Sequence, residues 1–216
     1  MIIISMNFKG GVSKSTNSVH FAVRLQQLGH RVLLVDADPQ GTAKDWLEDR
    51  REKNEHPNLR FAEVSGNCTA DLKAFESDGF TVVVDTAGSD SDTARYAAKA
   101  ATHIIIPIKP KNRDLKVLDK QKEIIDNTLI NNPDAIVRSV VCQAPTHPNE
   151  GYRIDMAKGR SEAWGITPLD NWQCLRNVYD DSDEVGATVF EHRYSNKVDE
   201  KAVREMTNIV DEILKL

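Results

Sequence analysis

The sequence predicts one doubly wound α/β domain, a mostly parallel sheet flanked by helices, spanning residues 1–216. Three observations carry this. Short runs rich in Ile and Val alternate with longer segments of helical period, the pattern of repeated β–α units. Several runs are apolar at every position, among them Val32-Leu-Leu-Val35, Val82-Val-Val84 and Ile104-Ile-Ile106, as strands covered on both faces are. A glycine-bearing turn, Phe8-Lys-Gly-Gly-Val-Ser-Lys-Ser-Thr16, joins the first such run to the first helical segment.

The elements follow in order. Residues 1–6 form a strand through Ile2, Ile3 and Ile4. A helix over 15–28 places Val19, Ala22, Val23 and Gln26 on adjoining turns and stops at Gly29, a residue suited to the position after a helix end. Strands are expected at 31–36, 59–64, 81–85, 104–108 and 136–142. Between them lie helices at 42–53, 70–77, 92–101 and 114–130. Beyond residue 145 the pattern weakens to helices at 153–164 and 198–214, with a short strand at 166–169. Right-handed crossovers would wind these units into a single sheet. No repeat, linker or low-complexity stretch divides the chain.

Composition narrows the function. With 216 residues, 40% hydrophobic and 28% charged, the chain can bury roughly 70% of its unfolded surface and needs no staple. No run approaches the ~18 apolar residues of a membrane span. The apolar N-terminus has neither a basic flank nor a cleavage site, so no signal peptide is expected. Cys68, Cys142 and Cys174 are odd in number and far apart, unlike a disulfide framework or a Cys-x-x-Cys metal site. A cytoplasmic location is expected. The net charge of −5 means that any contact with nucleic acid must come from a local basic patch.

The turn at 8–16 has the context of a phosphate-binding loop, after a strand and opening a helix. Gly10 and Gly11 let the backbone wrap closely, and the amides of Val12, Ser13 and Thr16 belong to the same cradle. Lys14 would contact the β- and γ-phosphates, and the Ser15 hydroxyl would ligate Mg²⁺. Ser13 stands where the usual GxxxxGK[ST] pattern has glycine, which is strained if φ there is positive. Lys9, just before the glycine pair, has no role in the ordinary loop.

These residues resemble the deviant Walker A motif of the ParA/MinD ATPases. The resemblance implies that Lys9 is the signature lysine, reaching across a nucleotide-sandwich dimer to the partner's phosphates. It also implies that Ser is tolerated at position 13. Val32-Leu-Leu-Val-Asp-Ala-Asp-Pro-Gln40 is similar to the second family element, in which Asp38 would orient the attacking water and Asp36 would support the metal shell. Val82-Val-Val-Asp-Thr-Ala-Gly88 resembles the Walker B strand, with Asp85 near Mg²⁺ and Gly88 sensing the γ-phosphate. Ile105-Ile-Pro-Ile-Lys-Pro110 resembles the proline-bearing switch, placing Pro107 and Pro110 at the dimer interface. Independently of the resemblance, aspartates at strand ends project into the crevice where an open α/β sheet binds its ligand. Such a carboxylate–metal–phosphate cluster supplies what phosphoryl transfer needs.

Within the family, the chain most resembles small partition ATPases of the ParF type. It opens directly on its first strand, without the helix-turn-helix extension of longer plasmid ParA proteins, so operator repression is not expected. The MinD branch ends in a basic amphipathic helix. Here five acids stand against three bases in the last segment, and Val203, Met206, Ile209, Val210 and Ile213 read as a packed stripe, so no membrane partner is expected. The cysteines do not suit an interfacial iron–sulfur cluster.

The resemblance implies ATP and Mg²⁺ as cofactors, an ATP-dependent homodimer, nonspecific DNA and a centromere-binding ParB-type adaptor as partners, and association with the nucleoid. Gln143 and Pro145, after a late strand, are candidates for the adenine. Two basic clusters could face DNA phosphates: Lys109, Lys111, Arg113 and Lys116, or, the weakly preferred choice, Arg193, Lys197, Lys201 and Arg204 with His192. The alternatives are a relative that positions a protein cargo and, further off, a biosynthetic enzyme of dethiobiotin-synthetase-like fold.

Overall fold

Alternation within the apolar runs sets the architecture. In β1 (Ile2–Ser5), Ile2 and Ile4 enter one buried cluster while Ile3 enters another. The same split separates Val82 and Val84 from Val83, and Ile104 and Ile106 from Ile105. Successive side chains of a strand point to opposite faces, so a run that is apolar throughout needs a cover on each. The chain supplies both.

The computed structural model describes residues 1–111 and 118–216, with the backbone alone at 118–121. The strands are β1, β2 (Val32–Ala37), β3 (Arg60–Glu63), β4 (Thr81–Thr86), β5 (His103–Ile108), β6 (Ile136–Ala144) and β7 (Pro168–Cys174). They form one parallel seven-stranded sheet in the order β3-β2-β4-β1-β5-β6-β7. On one face lie α1 (Lys14–Gln27), α2 (Thr42–Lys53) and, last in the chain, a helix over Glu200–Ile213, with Phe21, Leu25, Trp46, Met206 and Ile209 in that core. On the other lie α3 (Thr69–Ser77), α4 (Asp92–Ala100), α5 (Leu118–Asn131) and α6 (Tyr152–Ala163), with Leu72, Ala97, Ile125 and Ala157. The predicted residues 114–117 of α5, and with them Arg113 and Lys116, lie outside the described residues. No described helix is long and apolar enough to cross a membrane.

The end of the chain departs from expectation. The predicted strand at 166–169 is β7, displaced to Pro168–Cys174, and a short helix, α7 (Asn177–Asp183), follows it. Polar residues Asp170, Asn171 and Gln173 interrupt β7, which an edge position tolerates because only one side of the strand pairs. The last helix, α8 (Glu200–Ile213), packs Met206, Ile209, Val210 and Ile213 as the stripe predicted, with Val203 half-buried. Its acids have structural work. Glu212 accepts the N–H groups of Asp170 and Asn171, and Glu205 accepts that of Cys174, so two carboxylates satisfy donors of the β7 backbone.

His20 joins this C-terminal region to α1. The ring nitrogen Nδ1 lies 2.7 Å from the Thr16 carbonyl, and Nε2 accepts the Val189 N–H at 3.1 Å. That pairing fixes a neutral ring with the proton on Nδ1. Burial holds its pKa down at about 4. A histidine depressed on folding stabilises fully above its ordinary value of 6.5, and this contribution is lost as pH falls from there toward 4. The stability advantage of the wild type over His20→Gln should therefore shrink by about 3 kcal/mol between pH 6.5 and 4. Urea melts at stepped pH measure it, and a difference independent of pH would refute the neutral, buried ring.

Candidate functional site

The turn between β1 and α1 requires two left-handed steps. Gly11 has φ +70° at no steric cost, whereas Ser13 takes φ +75° as the residue that caps α1. A non-glycine residue there costs roughly 1–2 kcal/mol. Part of that cost is offset from outside the loop. The Gln143 amide donates to the Ser13 hydroxyl at 3.0 Å and to the Gly11 carbonyl at 3.2 Å. Gln143 itself has φ +53°, at the C-terminal end of β6. The sequence reading places it at a base edge; the structure gives it the further work of pinning the loop.

Asn7 holds the other end. Its side chain donates to the Pro107 carbonyl at 2.7 Å and accepts the Lys9 N–H at 3.0 Å, tying the start of the loop to β5. Lys14 is nearly buried, and its ammonium donates back to the Lys9 carbonyl at 3.2 Å. Burial lowers its pKa, while the Asp85 and Asp38 carboxylates act in the opposite direction. The Lys14 ammonium thus folds back onto the backbone of the residue that opens the motif.

Below the loop the strand ends are in register. Ser5 of β1 pairs with Asp85 of β4, which pairs with Asp36 of β2. Asp85 is fully buried; the Ser18 hydroxyl donates to its Oδ1 at 3.3 Å, the Ser15 hydroxyl also favours its charged form, and Oδ2 has no hydrogen-bond partner. Burial raises its pKa to about 7, and the nearby Asp36 charge adds to the rise. Asp36 is different. Its two oxygens accept the N–H groups of Asp38 and Lys44, at 2.9 and 3.0 Å, so it shapes the turn that presents Asp38 and opens α2. Burial raises its pKa as well. Asp38 accepts the Gln40 N–H at 2.9 Å.

Gly88 closes the site from the β4 side. A Cβ there would stand 3.1 Å from the Gly10 Cα and 3.2 Å from the Lys14 ammonium, so any larger residue would crowd the loop. Pro107 and Pro110 are buried on the β5 side, and Pro145 is half-buried just past β6. Arg193, Lys197, Lys201 and Arg204 are exposed at the chain's other end, beyond the loop's immediate surroundings.

Comparison with known proteins accords with this geometry. The CobQ/CobB/MinD/ParA nucleotide-binding domain model matches residues 3–213, nearly the whole chain. The chain belongs to that family. Its relatives include the chromosome-partitioning ATPase Soj of Thermus thermophilus, 32% identical over 164 residues, which are 75% of this chain and 62% of Soj. The maintenance of carboxysome distribution protein A of Halothiobacillus neapolitanus is 28% identical over 96% of this chain and 94% of its own length. Among solved structures, an ATP complex of a Cyanothece McdA variant superposes with TM-score 0.76 at 15% identity, covering 100% of this chain and 96% of that one. The Pyrococcus furiosus cell-division ATPase MinD gives 0.74 at 13%, covering 99% and 98%. At such identities the likeness is one of fold. The strand ends that carry Ser5, Asp85 and Asp36 thus lie side by side beneath the loop.

Three contributors escaped the sequence reading: Asn7, Ser18 and the loop-pinning role of Gln143. Ser18 lies three residues after Ser15 on α1, a spacing that puts both hydroxyls on one side of the helix. That signal was available. Nothing local marks Gln143 as a partner of residues 130 positions away.

Among the described residues, no group of three or more His, Cys, Asp and Glu side chains could hold a metal by itself. Asp85 is fully buried with one oxygen unpartnered, and such burial is costly. A carboxyl raised on folding is stabilising while protonated, and this is lost as pH rises from its ordinary 3.8 through about 7. At pH 8, without nucleotide, Asp85→Asn should be more stable than the wild type by a few kcal/mol, and the gap should close toward pH 4. Denaturant titration measures it; equal stability at pH 8 would mean that the carboxylate is solvated.

Proposed function

We propose that this chain is a Mg²⁺-dependent ATPase of the ParA type that segregates DNA. The observation that supports it most directly is the nearly buried Lys14, folded back onto the Lys9 carbonyl and within reach of the charge of a buried Asp85 with a free oxygen. An extra lysine before the glycine pair has no use in a self-sufficient phosphate loop. It has one if two subunits face each other across the nucleotide.

In this reading Lys14, the amides of residues 10–16 and the α1 N-terminus bind the triphosphate. The residues present fit a Mg²⁺ ion: the Ser15 hydroxyl and the open Asp85 oxygen would hold it, with Asp36 supporting the turn behind. Bound there, the ion would neutralise charge developing on the phosphates. Asp38 orients the attacking water, and its own carboxylate is held by the Gln40 N–H. Gly88 lies against Gly10 and Lys14, where a change in the phosphates is felt by contact. Pro107 and Pro110, buried within the subunit, shape the segment that faces the dimer partner, and Gln143 and Pro145 border the base. Turnover is slow because the site is complete only in the dimer, with a partner protein's group added.

The dimer holds nonspecific DNA through Arg193, Lys197, Lys201 and Arg204, each patch doubled across the two-fold axis. A centromere-binding ParB-type adaptor stimulates hydrolysis and resets the switch, in the cytoplasm at the nucleoid. A second reading keeps the switch and changes the cargo to a protein assembly; the near full-length match to the carboxysome-distribution relative favours it.

Retention of random-sequence duplex DNA, at fixed moderate salt, separates these. Binding with a nonhydrolysable ATP analogue and none with ADP is expected. An ATP-dependent dimer that ignores DNA would favour the protein cargo, and no dimer at all would point to a metabolic enzyme. Lys9→Ala is expected to bind ATP with affinity within about threefold of the wild type while staying monomeric in light scattering. An ATP-dependent dimer of that variant would remove the cross-subunit role.

A further inference from the structure

Lys109 and Lys111 flank Pro110 at the end of β5. β4 and β5 flank β1 on opposite sides, so the phosphate loop that follows β1 has two rims. The β4 rim is Gly88. The β5 rim is Lys109. Its ammonium lies 4.0 Å from the point where a side chain on Gly11 would begin. Lys109 is half-buried, and among the described residues the charges that act on it are those of Lys111 and Lys9.

Its position is fixed by the surrounding backbone. Pro107 is tied to Asn7 by the 2.7 Å hydrogen bond, and Asn7 in turn holds the Lys9 N–H. Pro110 restricts the residue before it to extended conformations, and that residue is Lys109. The Lys109 carbonyl accepts the Lys111 N–H at 2.8 Å. One bridging side chain and two prolines therefore set Lys109 over the same loop that Lys9 and Lys14 serve.

We propose that Lys109 is a further binding residue for the phosphate chain, entering from β5 on the rim opposite Gly88. This rests on the reading of the loop as a nucleoside-triphosphate site. Lys14 grips the chain from the helix side, and Lys109 grips it from the sheet side beside Gly11. The Pro-Ile-Lys-Pro segment thereby senses the nucleotide directly, through its own lysine.

Calorimetric titration of a nonhydrolysable ATP analogue with Mg²⁺ into wild type, Lys109→Gln and Lys109→Arg tests this, together with melting curves of the nucleotide-free proteins. Loss of a charge-assisted contact predicts about tenfold weaker binding for Lys109→Gln. Lys109→Arg should restore most of the affinity. The nucleotide-free melting temperature of Lys109→Gln should equal or exceed that of the wild type, because a repelling charge has gone. Wild-type affinity in Lys109→Gln, with or without loss of DNA retention, would overturn the proposal. So would weakened binding matched by a lower nucleotide-free melting temperature, which would mark a structural role. A wild type that binds no triphosphate would overturn the underlying reading together with the proposal.

Discussion

A buried carboxylate with one unpaired oxygen is the constraint around which the rest of this structure is arranged. Asp85 ends the strand next to the centre of the sheet, where β2 and β1 flank it and exclude water. Stripping solvent from a carboxylate costs several kcal/mol, and two serine hydroxyls recover only part of that. The protein carries the cost at the foot of a loop lined with lysines. Charge separated in this way, cations above and a carboxylate below, is unstable when empty and suited to a ligand with charge of both signs. A metal-bound polyphosphate is such a ligand. The same logic explains why Asp36, one strand away in register, is not equivalent: both its oxygens are already engaged by backbone amides.

The loop above Asp85 is held from outside more than from within. It has no side-chain cap on α1, and its non-glycine left-handed residue is strained. Asn7, Gln143 and the bare face of Gly88 fix it from three directions, through β5, β6 and β4 respectively. A phosphate-binding loop must keep its amides pointing inward and unpaired, so its own hydrogen bonds cannot stabilise it. Neighbouring strands take over that task. This is why residues scattered from position 7 to position 143 meet within one turn of chain.

The legible parts of the sequence were those with local causes. Continuous apolar runs identified the buried strands because burial on both faces leaves no polar positions. The phosphate loop could be read because glycine, lysine and hydroxyl spacing is set by backbone geometry over nine residues. β7 was misplaced because an edge strand needs only one partner, so Asp170 and Asn171 hid it. The carboxylates that satisfy it, Glu205 and Glu212, lie on α8, 31 and 42 residues beyond the N–H groups they accept. The loop contact of Gln143 and the nearness of Lys109 to the loop are not legible for a related reason. Their contacts with Ser13 and Gly11 depend on which strands the topology places beside β1, and spacing along the chain does not carry that information.

The first helix extends the influence of the loop beyond the crevice. α1 opens with Lys14 and Ser15 at the loop and, one turn on, buries His20 against the Thr16 carbonyl and the Val189 amide. Segment 186–191 is also held from α2, where Arg50 pairs with Glu191 at 2.6 Å and donates to the Gly186 carbonyl. Truncating either partner of such a buried pair would leave a charge uncompensated, so the segment is rigidly seated. Lys201 and Arg204 lie on α8, whose Met206 and Ile209 share a buried core with Phe21 and Leu25 of α1. The exposed lysines and arginines at the end of the chain therefore share a rigid frame with the site, although none of them reaches it.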